Sequence, residues 1–389
     1  MTATDLARLE GAAAAIVGAV LGDVLGRPVT GLPPAHATAR LASSDASISI
    51  AAPPPAEDEP MREALPGTPS AATMLGLVLL EAAKLSPADA VEDVLRRVHG
   101  TGFARGRRQH GALTGPSPVV VKTLRDFAAS THALSCAGDA PDATMLLPAL
   151  MLGACGTPLE RAALLLRAVN RNPITLSAAV TLSEVTRSVV ARETTPESLL
   201  RAARQSEERV LASLRALPGT LAGPPEMGHG AMAMSLARAQ SAQSGTEALL
   251  PLSHDASAAP EIVLSSVLGA LATEPAQLAR QVALVLRHGG AAFAAAGVLV
   301  GLHGALMGLR DVPLGWMAAL RHAAPLLAFA RAAVGDERLP FPAADLNWAW
   351  ARDEFAFRDE RDTARRTSVV PGRSVQLGLF GELASKGGR

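Results

Sequence analysis

Three glycines, Gly18, Gly22 and Gly26, stand four residues apart near the start of the chain. At 3.6 residues per turn, positions four apart share one face of a helix. A face without side chains lets a second helix approach to backbone distance. The composition points the same way: alanine dominates, aromatic residues make up only 3%, and tyrosine is absent. Such a chain favours close-packed helices and disfavours sheets. The fold class read from the sequence is all-α.

Helix starts recur along the chain. Ser86-Pro87-Ala88-Asp89 offers a cap, a proline in the first turn and an acid at the third position. Thr157-Pro158-Leu159-Glu160 has the pattern of a capping box, and Thr195-Pro196-Glu197 opens a helix in the same way. Apolar residues follow at helical spacing, as at Ala162, Leu165, Leu166 and Val169. Three stretches break the pattern. Residues 31–69, rich in Ala, Pro and Ser, read as a long loop, and residues 216–230 as a shorter one. From about Ala351 the chain is charged and reads as a solvated helix ending in flexible chain. The expected organisation is one helical domain over residues 1–350 and a partly flexible charged tail over 351–389.

Several function classes are disfavoured. Formal net charge is zero and no long basic run is present, so no footprint for nucleic acid is visible. The N-terminus lacks the basic start of a signal peptide. The apolar stretch Ala291–Met307 is rich in Ala and Gly and holds His303, which suits a buried helix better than a membrane span. Only two cysteines are present, Cys136 and Cys155, without metal-type spacing. They read as small core residues in a reducing compartment. A cytoplasmic location is expected.

The first helix closes on Gly22-Asp23-Val24-Leu25-Gly26-Arg27-Pro28-Val29. Further on come Thr114-Gly115-Pro116-Ser117, Ala143-Thr144-Met145-Leu146-Leu147-Pro148, and Pro260 to Leu271. The series ends with His288-Gly289-Gly290 and Val312-Pro313-Leu314-Gly315-Trp316. In order and spacing this set resembles the ADP-ribosylglycohydrolase family over about residues 10–335. The resemblance implies a compact multi-helix orthogonal bundle and a site at which acids on different helices hold metal ions.

Those acids are not at the matching positions. The family has Thr-Asp-Asp-Thr at the start of its second conserved helix. Matching Glu81 to the family's glutamate places Ser70-Ala71-Ala72-Thr73 there. The family's late signature Gly-Gly-Asp-Thr-Asp-Thr corresponds to Gly289-Gly290-Ala291-Ala292-Phe293-Ala294, and the glutamate after Pro-Val to Thr30. Hard divalent ions bind through oxygen ligands, mostly carboxylates. Alanine and phenylalanine supply none, so a magnesium site is expected to be lost. Glycosidic cleavage also needs a carboxylate acid or base, and Thr30 does not titrate near neutral pH. Phe293 is expected to fill the vacated space, a burial that stabilises by roughly 1.5–3 kcal/mol.

The resemblance outlines a vestigial pocket of Asp23, Thr30, Ser70, Ala71, Ala72, Thr73, Gly138, Asp139, Arg171, His288, Gly289, Gly290, Ala291 and Phe293. Asp23 reads either as a polar contact across the pocket or as a residual acid. Asp139 stands where the family's glycine-rich loop meets ligand phosphates and would repel them. Arg171 reads either as an anion holder or as a surface arginine, and the basic run Arg105-Gly106-Arg107-Arg108 with His110 as a solvated loop. In the tail, Gln376, Leu377, Gly378, Leu379 and Phe380 resemble the short motif by which bacterial proteins dock into the sliding clamp. A tail docking on its own domain or on another protein is the reading beside it.

Three functions follow. The first is a catalytically inactive member of the fold acting as a binding, regulatory or scaffold component, with an unknown protein partner or an ADP-ribose-like ligand. The second is an active ADP-ribosyl hydrolase with an altered, metal-independent site built from Asp23, Asp139, Asp142 or His288. The third is a structural subunit that docks through its tail.

Overall fold

A computed structural model describes residues 3–42, 65, 67–84, 138–253, 259–335 and 338–368. Fifteen α-helices are described. They are α1 (Ala3–Gly26), α2 (Pro34–Ala42), α3 (Ala71–Lys84), α4 (Leu146–Ala154), α5 (Leu159–Val169), α6 (Pro173–Val190), α7 (Leu199–Arg215) and α8 (Pro225–Ser241). They continue with α9 (Gly245–Leu249), α10 (Pro260–Thr273), α11 (Leu278–His288), α12 (Ala292–Met307), α13 (Leu314–Ala319), α14 (Ala323–Val334) and α15 (Ala343–Ser368). Among the described residues there is no strand, only an isolated bridge between Gly138 and Asn170. The all-α expectation holds.

The centre of the molecule is the pair α1 and α12. Gly18 faces Val300 and Gly301, Gly22 faces Ala296 and Gly297, and Gly26 faces Ala292 and Phe293, so the helices run antiparallel. A methyl group on Gly22 would stand 2.1 Å from the Ala296 carbonyl oxygen. From the other side, Gly301 and Gly304 bring α12 against the carbonyls of Ala15 and Ala14. Helix α12 is buried on every side from Ala294 to Ala305, as expected of a core helix. Among the described residues one helix, over Asp5–Val29, is long and apolar enough to cross a membrane, and 89% of its 18-residue apolar window is buried inside the protein.

Around this pair, α6 packs against α4, α7, α8 and α10. Close approach again relies on glycine: Gly153 meets the Ser183 carbonyl and Gly228 the Pro173 carbonyl.

Four expectations need correction. The stretch 31–69 is not all loop, because α2 occupies Pro34–Ala42. Its alanines and opening proline fit a helix start as well as a loop, and its buried Ala37 and the preceding Leu32 anchor it on Gly289. The second loop ends at Pro224, because α8 starts at Pro225, and Gly228 is a contact glycine rather than a loop signal. No side-chain cap forms at the start of α5. Thr157 instead closes α4, its N–H donating to the Leu152 carbonyl (3.1 Å) beside the left-handed Gly156. The charged segment is not solvated from its outset: α15 runs through residue 350, and Trp350, Ala351 and Glu354 are buried.

The Thr195 start is present, with the Ser198 hydroxyl accepting the Thr195 N–H at 2.9 Å. Ser86–Asp89, Arg105–His110, Thr114–Ser117, Cys136 and Gln376–Phe380 lie outside the described residues.

The Gly22 contact gives a direct test. Gly22→Ala is expected to lower stability by about 1–3 kcal/mol, because neither backbone can retreat without disturbing the whole seam. Urea unfolding of the two proteins measures this, and an unchanged midpoint would contradict so close an approach.

Candidate functional site

The site forms where the end of α1 meets the starts of α3 and α12. Asp23 sits in the last turn of α1 and is fully buried. Its Oδ2 accepts three hydrogen bonds: from the Ser70 N–H (2.8 Å), the Ser70 hydroxyl (2.9 Å) and the Thr73 hydroxyl (2.5 Å). Ser70 caps α3, its Oγ accepting the Ala72 N–H at 3.2 Å. One carboxylate thus ties the end of α1 to the first turn of α3. Ala71 and Ala72 are buried in that turn.

Thr30 performs the equivalent task on the other side. Its hydroxyl donates to the Gly26 carbonyl (2.9 Å) and accepts the Phe293 N–H (3.1 Å). Thr30 therefore serves as a remote cap for α12. Two backbone bonds complete the junction: Gly31 N–H to the Gly290 carbonyl (2.7 Å) and Gly290 N–H to the Leu32 carbonyl (3.1 Å). Gly289 and Gly290 both lie in the left-handed region, at φ 65° and 52°. A Cβ on Gly289 would come 2.1 Å from the Leu32 carbonyl oxygen.

Phe293 packs against the core and is partly buried. Beneath Gly289, Ala291 and Ala292 a cavity of about 10 Å³ is left, room for roughly one water.

Asp23 thus meets Ser70 and Thr73 on one side of the end of α1, and Thr30 meets Phe293 on the other, with Gly290 bonded to Gly31 and Leu32. Gly138, Asp139 and Arg171 meet one another at the start of α6. The Gly138 carbonyl accepts the Arg171 N–H (2.6 Å), and Arg171 pairs with Asp139 at 3.5 Å. That pairing offsets the charge of Asp139 and occupies the arginine. Asp142 accepts the Thr144 N–H at 2.9 Å. His288 is the last residue of α11.

Sequence reasoning missed Arg27 and Glu354. Arg27 Nη1 donates to the Thr68 carbonyl (3.2 Å), the Thr68 hydroxyl (2.8 Å) and the Pro69 carbonyl (3.0 Å). Its Nη2 pairs with Glu354 at 3.1 Å, and the Glu354 side chain is fully buried. Arg27 stood in the quoted motif and was a legible candidate. Glu354 was hidden in a segment whose charge suggested solvent.

Burial pushes the Asp23 carboxyl up to about 6, against the opposing pull of Thr73, Ser70 and Arg27. Its Oδ1 has no hydrogen-bond partner among the described residues. As a donor set for magnesium, the junction offers one carboxylate with a raised pKa and three hydroxyls that already cap or bridge helices. A pair of hard divalent ions does not fit it. Among the described residues, no three His, Cys, Asp or Glu gather where they would hold a metal ion.

A larger cavity, about 970 Å³, opens at the far end of α3 beside Glu81, Lys84 and Cys155. Lys84 Nζ is bound to the carbonyls of Ala332 and Gly335, and Glu81 to the Ala343 N–H. Cys155 is partly buried at the cavity wall, and burial pushes its thiol up to about 12, which disfavours the thiolate at neutral pH.

A family model described as ADP-ribosylglycohydrolase matches residues 4–342. A solved structure described as an "ADP-ribosylglycohydrolase-related protein complex" is similar with a TM-score of 0.51 at 19% identity, covering 84% of this chain and 98% of that one. At that identity the likeness speaks for the fold. No curated protein matches.

Asp23 makes stability depend on pH. Its folded pKa lies above the unfolded value, so the fold takes up the proton more readily than the open chain does. The contribution of this group is most favourable below pH 4 and declines as pH rises to about 6. Relative to wild type, Asp23→Asn is therefore expected to gain about 2–3 kcal/mol between pH 4 and pH 7. Urea midpoints of both proteins across that range measure it; parallel curves would contradict the assignment.

Proposed function

Because the chain belongs to the ADP-ribosylglycohydrolase family, we propose that it is a member that does not hydrolyse ADP-ribosyl bonds by metal-assisted chemistry. It acts instead as a binding, regulatory or scaffold component, in the cytoplasm.

The observation that carries this reading is the use to which the surviving polar groups are put. Asp23 Oδ2 takes three hydrogen bonds from the start of α3, and Thr30 caps α12. Both are structural fastenings. Ala71, Ala72, Ala291 and Phe293 carry no oxygen in their side chains and offer a cation nothing to bind. Hydrolysis of a glycosidic bond needs an acid to protonate the leaving group or a base to activate water. A carboxyl enclosed by Ser70 and Thr73 is poorly placed for either task.

The altered-site hydrolase gains no support from the other acids. Asp139 is paired with Arg171, and Asp142 holds a 3₁₀ turn through the Thr144 N–H. A protein partner is part of the proposal, and the peptide Gln376–Phe380 is a candidate for engaging it.

Calorimetric titration with ADP-ribose, with and without magnesium, tests the reading alongside an assay for turnover of ADP-ribosyl-arginine. No turnover is expected, and any heat of binding should be the same with and without the metal. Micromolar binding that appears only with magnesium, or release of ADP-ribose, would overturn it.

A further inference from the structure

Helix α15 begins at Ala343, immediately beyond the last residue that matches the family. It is nevertheless bolted to the centre of the site. Asn347, Trp350, Ala351 and Glu354 are all completely buried. Their spacing is i, i+3, i+4 and i+7, the anchor pattern of an amphipathic helix lying in a groove. Each polar anchor has a partner on the opposite wall. Asn347 Nδ2 donates to the Met74 carbonyl (3.1 Å), next to Thr73. Trp350 Nε1 donates to the Arg321 carbonyl (2.9 Å). Glu354 pairs with Arg27. At the rim, Asp353 pairs with His322 (3.1 Å) and Arg321 (3.3 Å).

These contacts bracket the segment that holds Asp23. Arg27 grips Thr68 and Pro69 with one nitrogen and Glu354 with the other. Ser70, next in the chain, donates to Asp23. Gly67 receives the Arg321 N–H (3.1 Å), from the same residue whose carbonyl receives Trp350. A continuous chain of polar contacts thus runs from α15 through Arg27 and Pro69 to Ser70 and Asp23. A buried ion pair is a weak device for stability, because desolvation offsets much of its attraction, but it is a specific one.

We infer that the rim of the old site is a helix-docking groove, and that α15 occupies it in cis and holds the Gly67–Thr73 segment closed over Asp23. The groove fits an amphipathic helix presenting a tryptophan and, four residues later, a glutamate. Undocking this helix is the step that opens the site. The inference stands whether or not the chain turns over ADP-ribosyl substrates, since it concerns contacts rather than chemistry.

Hydrogen exchange followed by mass spectrometry on the full chain tests it, comparing wild type with Glu354→Gln. Amides of Asp345–Ala351 and of Ser70–Met74 are expected to exchange on the order of tenfold faster together, while α6 is unchanged. Faster exchange confined to the C-terminal helix, or no change in either segment, overturns the inference. Should Glu354→Gln fail to fold, Asp353→Asn removes the half-exposed contact with Arg321 and His322 instead. It is expected to quicken both segments about threefold. A rise in α15 alone would again overturn the coupling.

Discussion

Where Gly22 meets Ala296, two helices touch backbone to backbone, with no side chain between them. Each contact is small in dispersion energy, but the seam runs from Gly11 against Ala305 to Gly26 against Phe293. Its consequence is register. A glycine face fits only one depth and one offset of its partner, because any slide brings a methyl group onto a carbonyl. The end of α1 is thereby fixed beside the start of α12, and Thr30 lands within a hydrogen bond of the Phe293 N–H. Asp23 is fixed in the same stroke, and with it the start of α3.

At the end of α1 two helix starts are held by different oxygens: that of α3 by the Asp23 carboxylate, that of α12 by the Thr30 hydroxyl. Helix N-termini present unsatisfied N–H groups and a partial positive charge. In this chain the oxygens at the junction satisfy the helix ends themselves. Ser70 caps its own helix, Thr30 caps another from a distance, and Asp23 gathers the donors of the Ser70–Thr73 turn. The polar inventory is small, and most of it is used in holding the helices together.

The α-helical character and the central seam were legible in the sequence because they rest on local pattern: glycines four apart, alanine in excess, few aromatics. The contacts of Asp23 with Ser70 and Thr73, and of Thr30 with Phe293, join residues that the resemblance singled out. What escaped was whatever depended on tertiary contact. Helix α2 was hidden in an Ala/Pro-rich stretch, since the anchoring of Leu32 and Ala37 on Gly289 is invisible without the partner. The buried face of α15 was masked by its charge: Arg352 and Asp353 flank Ala351 and Glu354, and only the docked face distinguishes them. Thr157 had the right neighbours for a cap, but the left-handed Gly156 before it commits its N–H to ending α4.

The turn at Gly289 and Gly290 is imposed by backbone geometry alone. Its two left-handed residues and the reciprocal bonds with Gly31 and Leu32 need no acid at 291 or 293. The constraint that preserves the shape and the constraint that preserves the chemistry act on different residues, so selection can relax one while the other stays in force. The turn therefore keeps its shape whatever side chains stand at 291 and 293. Kinship traced through such turns follows ancestry of form and leaves the inheritance of activity to be read from the positions between them.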